Sequence, residues 1–303
     1  MHNTPDLRIL FPTSFSEACF RTASAIAQLA DTCRVSLTIA HVTNPGQATI
    51  KKRRELDSFL AEADHYESCY RTLMEAEDPV KAISELCETE RFDLILAPAS
   101  DRLGLHSFFT RSFRARLLKH CKAPVWTVGS CLDRINFSGS IQTVACLVDL
   151  SGDSDTYLPL AVALGSFFGA RLRILNVIPP IDEGTLAHSV SSNAPLMPEV
   201  ALERIRSAFA GRNCPEIDVA VGDGARELPR LLARCHADLL FVGPGQALNG
   251  IWQPSLSPYL DRLPCPVICV DGASATFDQW TFQHVAASTK PALVYPGDYV
   301  IAS

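Results

Sequence analysis

Three features of the 303-residue chain could do chemistry. Eleven cysteines could hold a soft metal or cycle between thiol and disulfide. No CxxC pair and no Cys/His cluster at ligand spacing occurs, so they read as reduced core thiols. Cys265 and Cys269 lie four apart on a strand-like run and share a face, supplying two soft ligands and no neighbouring histidine. The eight histidines are dispersed. Among them His41, at the end of an apolar run, could approach a planar ring or serve as a satisfied structural residue. The third feature is Ser151-Gly-Asp-Ser-Asp-Thr156, which leaves an apolar run and opens a helical one. Hydroxyls and carboxylates there suit a helix N-cap. GxxxxGK(S/T), a complete GxGxxG, GxSxG, HExxH and HxGH are absent, which removes most signature-bearing nucleotide enzymes and hydrolases.

Composition narrows the partners. Lys and Arg number 27 against 33 Asp and Glu, a net charge of −6, so no global basic field gathers phosphate backbones or anionic lipid. Neither nucleic acid nor a membrane is expected. Lys51-Lys-Arg-Arg54 is a short basic run expected just before a helix rich in acidic residues, and reads as a solvated helix face rather than a nucleic-acid patch. The uncharged helical stretch from Tyr157 to Ala170 is too short to span a bilayer. The opening residues lack an export signal, so the expected location is the cytoplasm. An apolar fraction of 47% and a charged fraction of 20% belong to a packed globular chain, and its length suits two domains.

The elements that must position these groups form a repeat. Ile9 to Ser16 and Cys146 to Ser151 are apolar runs entering Ser- or Asp-containing turns, and Ser14 and Asp149 stand 149 − 14 = 135 positions apart. The same spacing relates Val42 to Val177, each at the end of a second β-rich run. Phe92 to Pro98 matches Ala237 to Gly243, and Ala123 to Val128 matches Cys265 to Val270. Helical periodicity fills the intervals, as over Ser16 to Ala30 and Pro79 to Glu88. Alternation of this kind predicts, in each half, β-α-β-α-β-α-β-α-β folded as an α/β doubly wound open parallel sheet covered on both faces. Ligands of such sheets bind beyond the carboxyl ends of the strands. The residues to watch are Ser14, Val42 and Pro98 in one half, and Asp149, Val177 and Gly243 in the other.

These blocks resemble the universal stress protein family, present as two copies over about Leu7 to Asp271. The strand openings resemble the family's ILVPTDFS or ILVAVDGS, Asp93 to Pro98 and Asp238 to Gly243 resemble its DLIVMG, and the closing runs resemble its CPVLVV. The resemblance implies the adenine nucleotide alpha hydrolase-like fold and, in many members, ATP held by an Asp closing the first strand and a Gly-x-x-Gly, nine residues, Gly-Ser/Thr motif. This chain departs from that motif in both halves. Ser14 replaces the Asp, Pro98 and Asp101 replace the leading glycines, and Arg111 and Ser112 replace Gly-Ser. In the second half Asp149 and Gly243 remain, Gly245 falls one residue early beside Gln246, and Gln253-Pro254 stands where Gly-Ser belongs. The implied nucleotide or anion site is therefore Asp149, Val177, Gly243 and Gly245, with Ser14, Val42, Pro98 and Ser112 as its degenerate counterpart. Arg102 and Arg111, expected on the connector facing the first-half site, could hold an anion by charge, or be solvated. Ser151 to Thr156 also distantly resembles the SGGxDS loop of ATP-cleaving synthetases, without its second glycine.

The expected domains are 1–132 and 139–271, with a tail, 272–303, docked through its aromatic residues. Thr156 to Ala170 is apolar on most sides and should pack against the other half, the tail or a second subunit. The final strands of the halves should meet edge to edge, making an intrachain pseudo-dimer, to which a homodimer could be added. The resulting expectation is a non-enzymatic stress-response or signalling protein with an unnamed signalling partner. The alternative is an ATP-using enzyme of the same superfamily, hydrolysing slowly or adenylating.

Overall fold

A computed structural model describes residues 6–30, 33–60, 68–98, 107–127, 140–148, 154–178, 197–209, 214–243 and 263–270. The first half runs β1 (Asp6–Pro12), α1 (Glu17–Ala30), β2 (Arg34–Thr43), α2 (Ile50–Ser58), β3 (Ser68–Glu75), α3 (Pro79–Glu90), β4 (Leu94–Ala97), α4 (Ser107–His120) and β5 (Val125–Thr127). The second half runs β6 (Thr143–Leu147), α5 (Ser154–Phe168), β7 (Arg171–Ile178), α6 (Pro198–Ala208), β8 (Glu216–Val221), α7 (Gly224–Arg234), β9 (Leu239–Val242) and β10 (Val267–Cys269). Local chemistry sets several boundaries. Asp78 accepts from the N–H groups of Val80 and Lys81 and starts α3 with Pro79 in its first turn; Arg91, at φ 53°, ends it. The tail, 272–303, lies outside the described residues.

All ten strands form one sheet, in the order β3-β2-β1-β4-β5-β10-β9-β6-β7-β8. Every neighbouring pair is parallel except β5 and β10. In that antiparallel seam Val125 faces Cys269, Trp126 faces Ile268 and Thr127 faces Val267. Pro124 and Pro266 are repeat equivalents, so Trp126 pairs with its own counterpart, and the flanking pairs exchange partners as an isologous contact requires. The two halves thus meet edge to edge, and β5 and β10 hide each other's open hydrogen-bonding edges.

One apolar layer runs along a whole face of the sheet, combining Ile9, Phe11, Leu96, Trp126, Cys146, Ile174, Phe241 and Ile268 with α1 and α5 side chains. A second layer covers the other face beneath α3, α4 and α7. In α5, Leu158, Leu160, Ala161, Leu164 and Phe167 are buried, and Phe168 meets Trp126 edge-on at 6.3 Å. The apolar helix therefore packs partly against the other half.

Two expectations need correction. Lys51-Lys-Arg-Arg54 lies inside α2 rather than before it, because Thr49 caps the helix just upstream; Lys52 and Arg53 pair with Glu55 and Asp57 along its surface. No disulfide joins the described cysteines to one another, yet not all are core: Cys69 and Cys87 are half-buried, and Cys214 is exposed just before β8.

Candidate functional site

The strand order reverses between β1 and β4 in the first half and between β6 and β9 in the second, which opens a crevice at the carboxyl edge of each. In the second half Leu147 is in register with Val242, which brings Val148 and Gly243, both buried, to the crevice lip. Asp149 is the next residue and lies outside the described residues, as do Gly245, Gln246, Gln253, Pro254 and Ser151 to Asp153. Val177 lies on β7 opposite Ala220, packed with the layer beneath α7.

In the first half Pro12 is in register with Ala40, and the chain then turns sharply. Phe15 takes φ 61°, and its N–H donates to Thr13 Oγ1 at 3.0 Å. Ser14 donates its N–H to Cys19 Sγ at 3.4 Å, and its hydroxyl lies 3.6 Å from the same sulfur. Ser16 adds an O–H donor at 3.4 Å. The turn is thus satisfied by a buried thiol. Val42 is half-buried, and Pro98, just beyond β4, has no N–H to offer a phosphate. Arg111 and Ser112 lie within α4 rather than on a connector, since the helix already begins at Ser107; their side chains lie outside the described residues, as does Arg102.

The two edges share a polar bridge. His41 Nδ1 lies 2.7 Å from the Thr13 carbonyl, which can only accept, so Nδ1 carries the proton. At the equivalent place Asn176 donates from Nδ2 to the Val148 carbonyl at 2.8 Å. His41 is buried under Phe15, with ring centroids 4.1 Å apart, and Lys52 lies 5.2 Å from the far ring. Burial lowers the imidazole pKa, opposed by the Thr13 bond and assisted by Lys52. His41 is therefore a structural tie at this edge.

Sequence reasoning missed what the repeated Asp-Leu dipeptides do. Asp93 accepts the Arg8 N–H, and Asp238 accepts the N–H groups of Gln142 and Thr143, each at 2.9 Å. Both carboxylates clasp the start of the first strand of their half, at the edge opposite the crevices. An acidic residue recurring just before an apolar run was the available signal. A cleft of about 360 Å³ between α3 and α4, lined by Asp78, Ser84, Glu88, Arg116 and His120, also went unforeseen. Asp78 and Arg116 form an ion pair at its rim, and that hydrogen bond lowers the Asp78 pKa.

Two doubly wound halves joined in one ten-stranded sheet, each with its own carboxyl-edge crevice, define a class of protein; comparison defines the family. The model of the universal stress protein family matches residues 7–129 and again 140–271, and the chain belongs to that family. No curated protein matches it significantly. Among solved structures it is similar to a universal stress protein from Archaeoglobus fulgidus DSM 4304, with 16% identity, a TM-score of 0.58, and coverage of 87% of this chain and 98% of that one. It is also similar to a putative universal stress protein from Pseudomonas aeruginosa UCBPP-PA14, with 13% identity, a TM-score of 0.55, and coverage of 94% and 98%. A universal stress protein in complex with cAMP covers 40% of this chain and 95% of its own, at 20% identity and a TM-score of 0.33. Among the described residues no helix is long and apolar enough to cross a membrane.

Proposed function

We propose that the chain is a non-enzymatic stress-response or signalling protein of the cytoplasm that binds an adenine nucleotide, or another anionic small molecule, in its second half. The contrast between the two crevices carries this reading. In the second half Val148 leads directly to a carboxylate, Asp149, and faces Gly243, whose missing side chain lets a ligand approach the backbone. In the first half the equivalent turn is occupied with its own Cys19, and Pro98 stands where Gly243 stands. Asp149, Val177, Gly243 and Gly245 would hold the ligand, while Ser14, Val42, Pro98 and Ser112 would form a silent counterpart.

Native mass spectrometry of the full chain with MgATP tests the reading. The expected result is one nucleotide per chain, lost in Asp149→Ala and retained in Ser14→Ala, with no accumulation of ADP. Absence of an adduct at millimolar nucleotide overturns nucleotide binding, and ADP production abolished by Asp149→Ala overturns the non-enzymatic role in favour of an ATP-using enzyme.

A further inference from the structure

Phe15 follows β1 at the carboxyl edge of the first half, with a left-handed backbone at φ 61°. A bulky side chain does not adopt that conformation without cost, and here the turn is held from several sides. The Phe15 N–H donates to Thr13 Oγ1, while the Ser14 N–H and the Ser16 hydroxyl donate to Cys19 Sγ. The ring that this turn presents lies 4.1 Å from the His41 ring, centroid to centroid, tilted by 37°, and meets Phe59 edge-on at 5.5 Å. His41 and Phe59 are buried. Lys52, paired with Glu55, sets its ammonium over the Phe15 ring, 5.2 Å from the centroid. A stacked ring, a ring edge and a cation are the contacts that hold a planar, electron-rich aromatic molecule. They converge at the edge where sheets of this kind take ligands, and Phe15 is only half-buried, so the place borders solvent. In the second half 150 − 15 = 135 and 176 − 41 = 135 put Leu150 and Asn176 at the matching positions, neither of them a ring.

We propose that the first half contains a site for a planar, electron-rich aromatic molecule, and that Phe15 occupies it as a tethered ligand which a free ring must displace. The tether gives the Phe15 ring a high local concentration, so the unaltered chain binds free rings weakly. Displacement also releases the backbone from φ 61°, which offsets part of the lost contact. The inference does not depend on what the second half binds.

The probe is indole, followed on the full chain by equilibrium dialysis and by the NMR signals of the His41 imidazole protons. In the unaltered chain those protons should lie upfield through the Phe15 ring current. Phe15→Gly suits a positive φ and should lose that shift. It should bind one indole per chain at least about tenfold more tightly than the unaltered chain, and recover the upfield shift as indole saturates. Adding His41→Asn keeps a donor for Thr13 but removes the stacking ring, and should weaken indole again by about tenfold. Equal indole affinity in Phe15→Gly and the unaltered chain, or no binding to the folded variant at millimolar indole, overturns the site. Unshifted His41 protons in the unaltered chain overturn its occupation by Phe15, a reading that needs no variant. Phe15→Ala repeats the binding measurement should the glycine variant misfold.

Discussion

His41 and Asn176 stand 176 − 41 = 135 positions apart, and each ties the second strand of its half to the carbonyl of the residue just past the first, at 2.7 and 2.8 Å. One bridge has been built twice, with imidazole in the first half and carboxamide in the second. Only the imidazole can take up a proton, and burial pushes its pKa down.

The His41 bridge should therefore make stability depend on pH. Burial holds the folded pKa below the ordinary value of about 6.5, so the unfolded chain binds more protons between those two values. This stabilisation is complete above about pH 6.5 and is lost as pH falls toward the folded pKa. His41→Asn copies the second-half solution, keeps a donor for Thr13, and should flatten the difference in urea midpoint between pH 7 and pH 5. A variant with the same pH slope as the parent would sink this account.

At the opposite edge, Asp238→Ala removes the charged acceptor of two backbone N–H groups and should cost about 1–3 kcal/mol. Asp238→Asn keeps an acceptor oxygen and should cost less. Urea unfolding gives the magnitude, and faster hydrogen exchange at the Gln142 and Thr143 amides localises it; unchanged exchange there would refute the clasp.

At the seam, Trp126 is 1% exposed, and among the described residues its indole N–H has no acceptor. Trp126→Ala should cost about 3–5 kcal/mol through the cavity it leaves. Trp126→Phe should cost far less, about 1–2 kcal/mol, because the change also deletes an unsatisfied buried donor. Equal losses for the two variants, read from chemical denaturation at constant slope, would contradict this.

The repeat made the fold legible. A constant offset relating Ser14 to Asp149 and Val42 to Val177 aligns the first two strands of each half, and Pro124 with Pro266 aligns the last. Edge-to-edge pairing followed because an exposed terminal strand in each half needs cover. The α5 run was readable as a covered helix because it lacks charge over most of its length. The candidate site was legible only as far as strand ends reveal it: Val177 and Gly243 are on or beside the expected strands, while Asp149 and Gly245 lie beyond the described residues. Cys19 as the partner of Ser14 escaped notice for a physical reason: it depends on how α1 seats on the sheet, and residue spacing along the chain does not encode that seating.

The seam has a consequence for synthesis. Thr127 meets Val267 across 267 − 127 = 140 positions, so a nascent chain displays the bare edge of β5 until almost all of the repeat has been made. At about 5–20 residues per second, that interval lasts roughly 7 to 28 seconds. Throughout it the first half carries a free strand and an uncovered Trp126, which invite pairing with another nascent copy on the same message. Fusing two domains into one chain guarantees each the right partner at high local concentration, but only after a period in which the first must wait for the second.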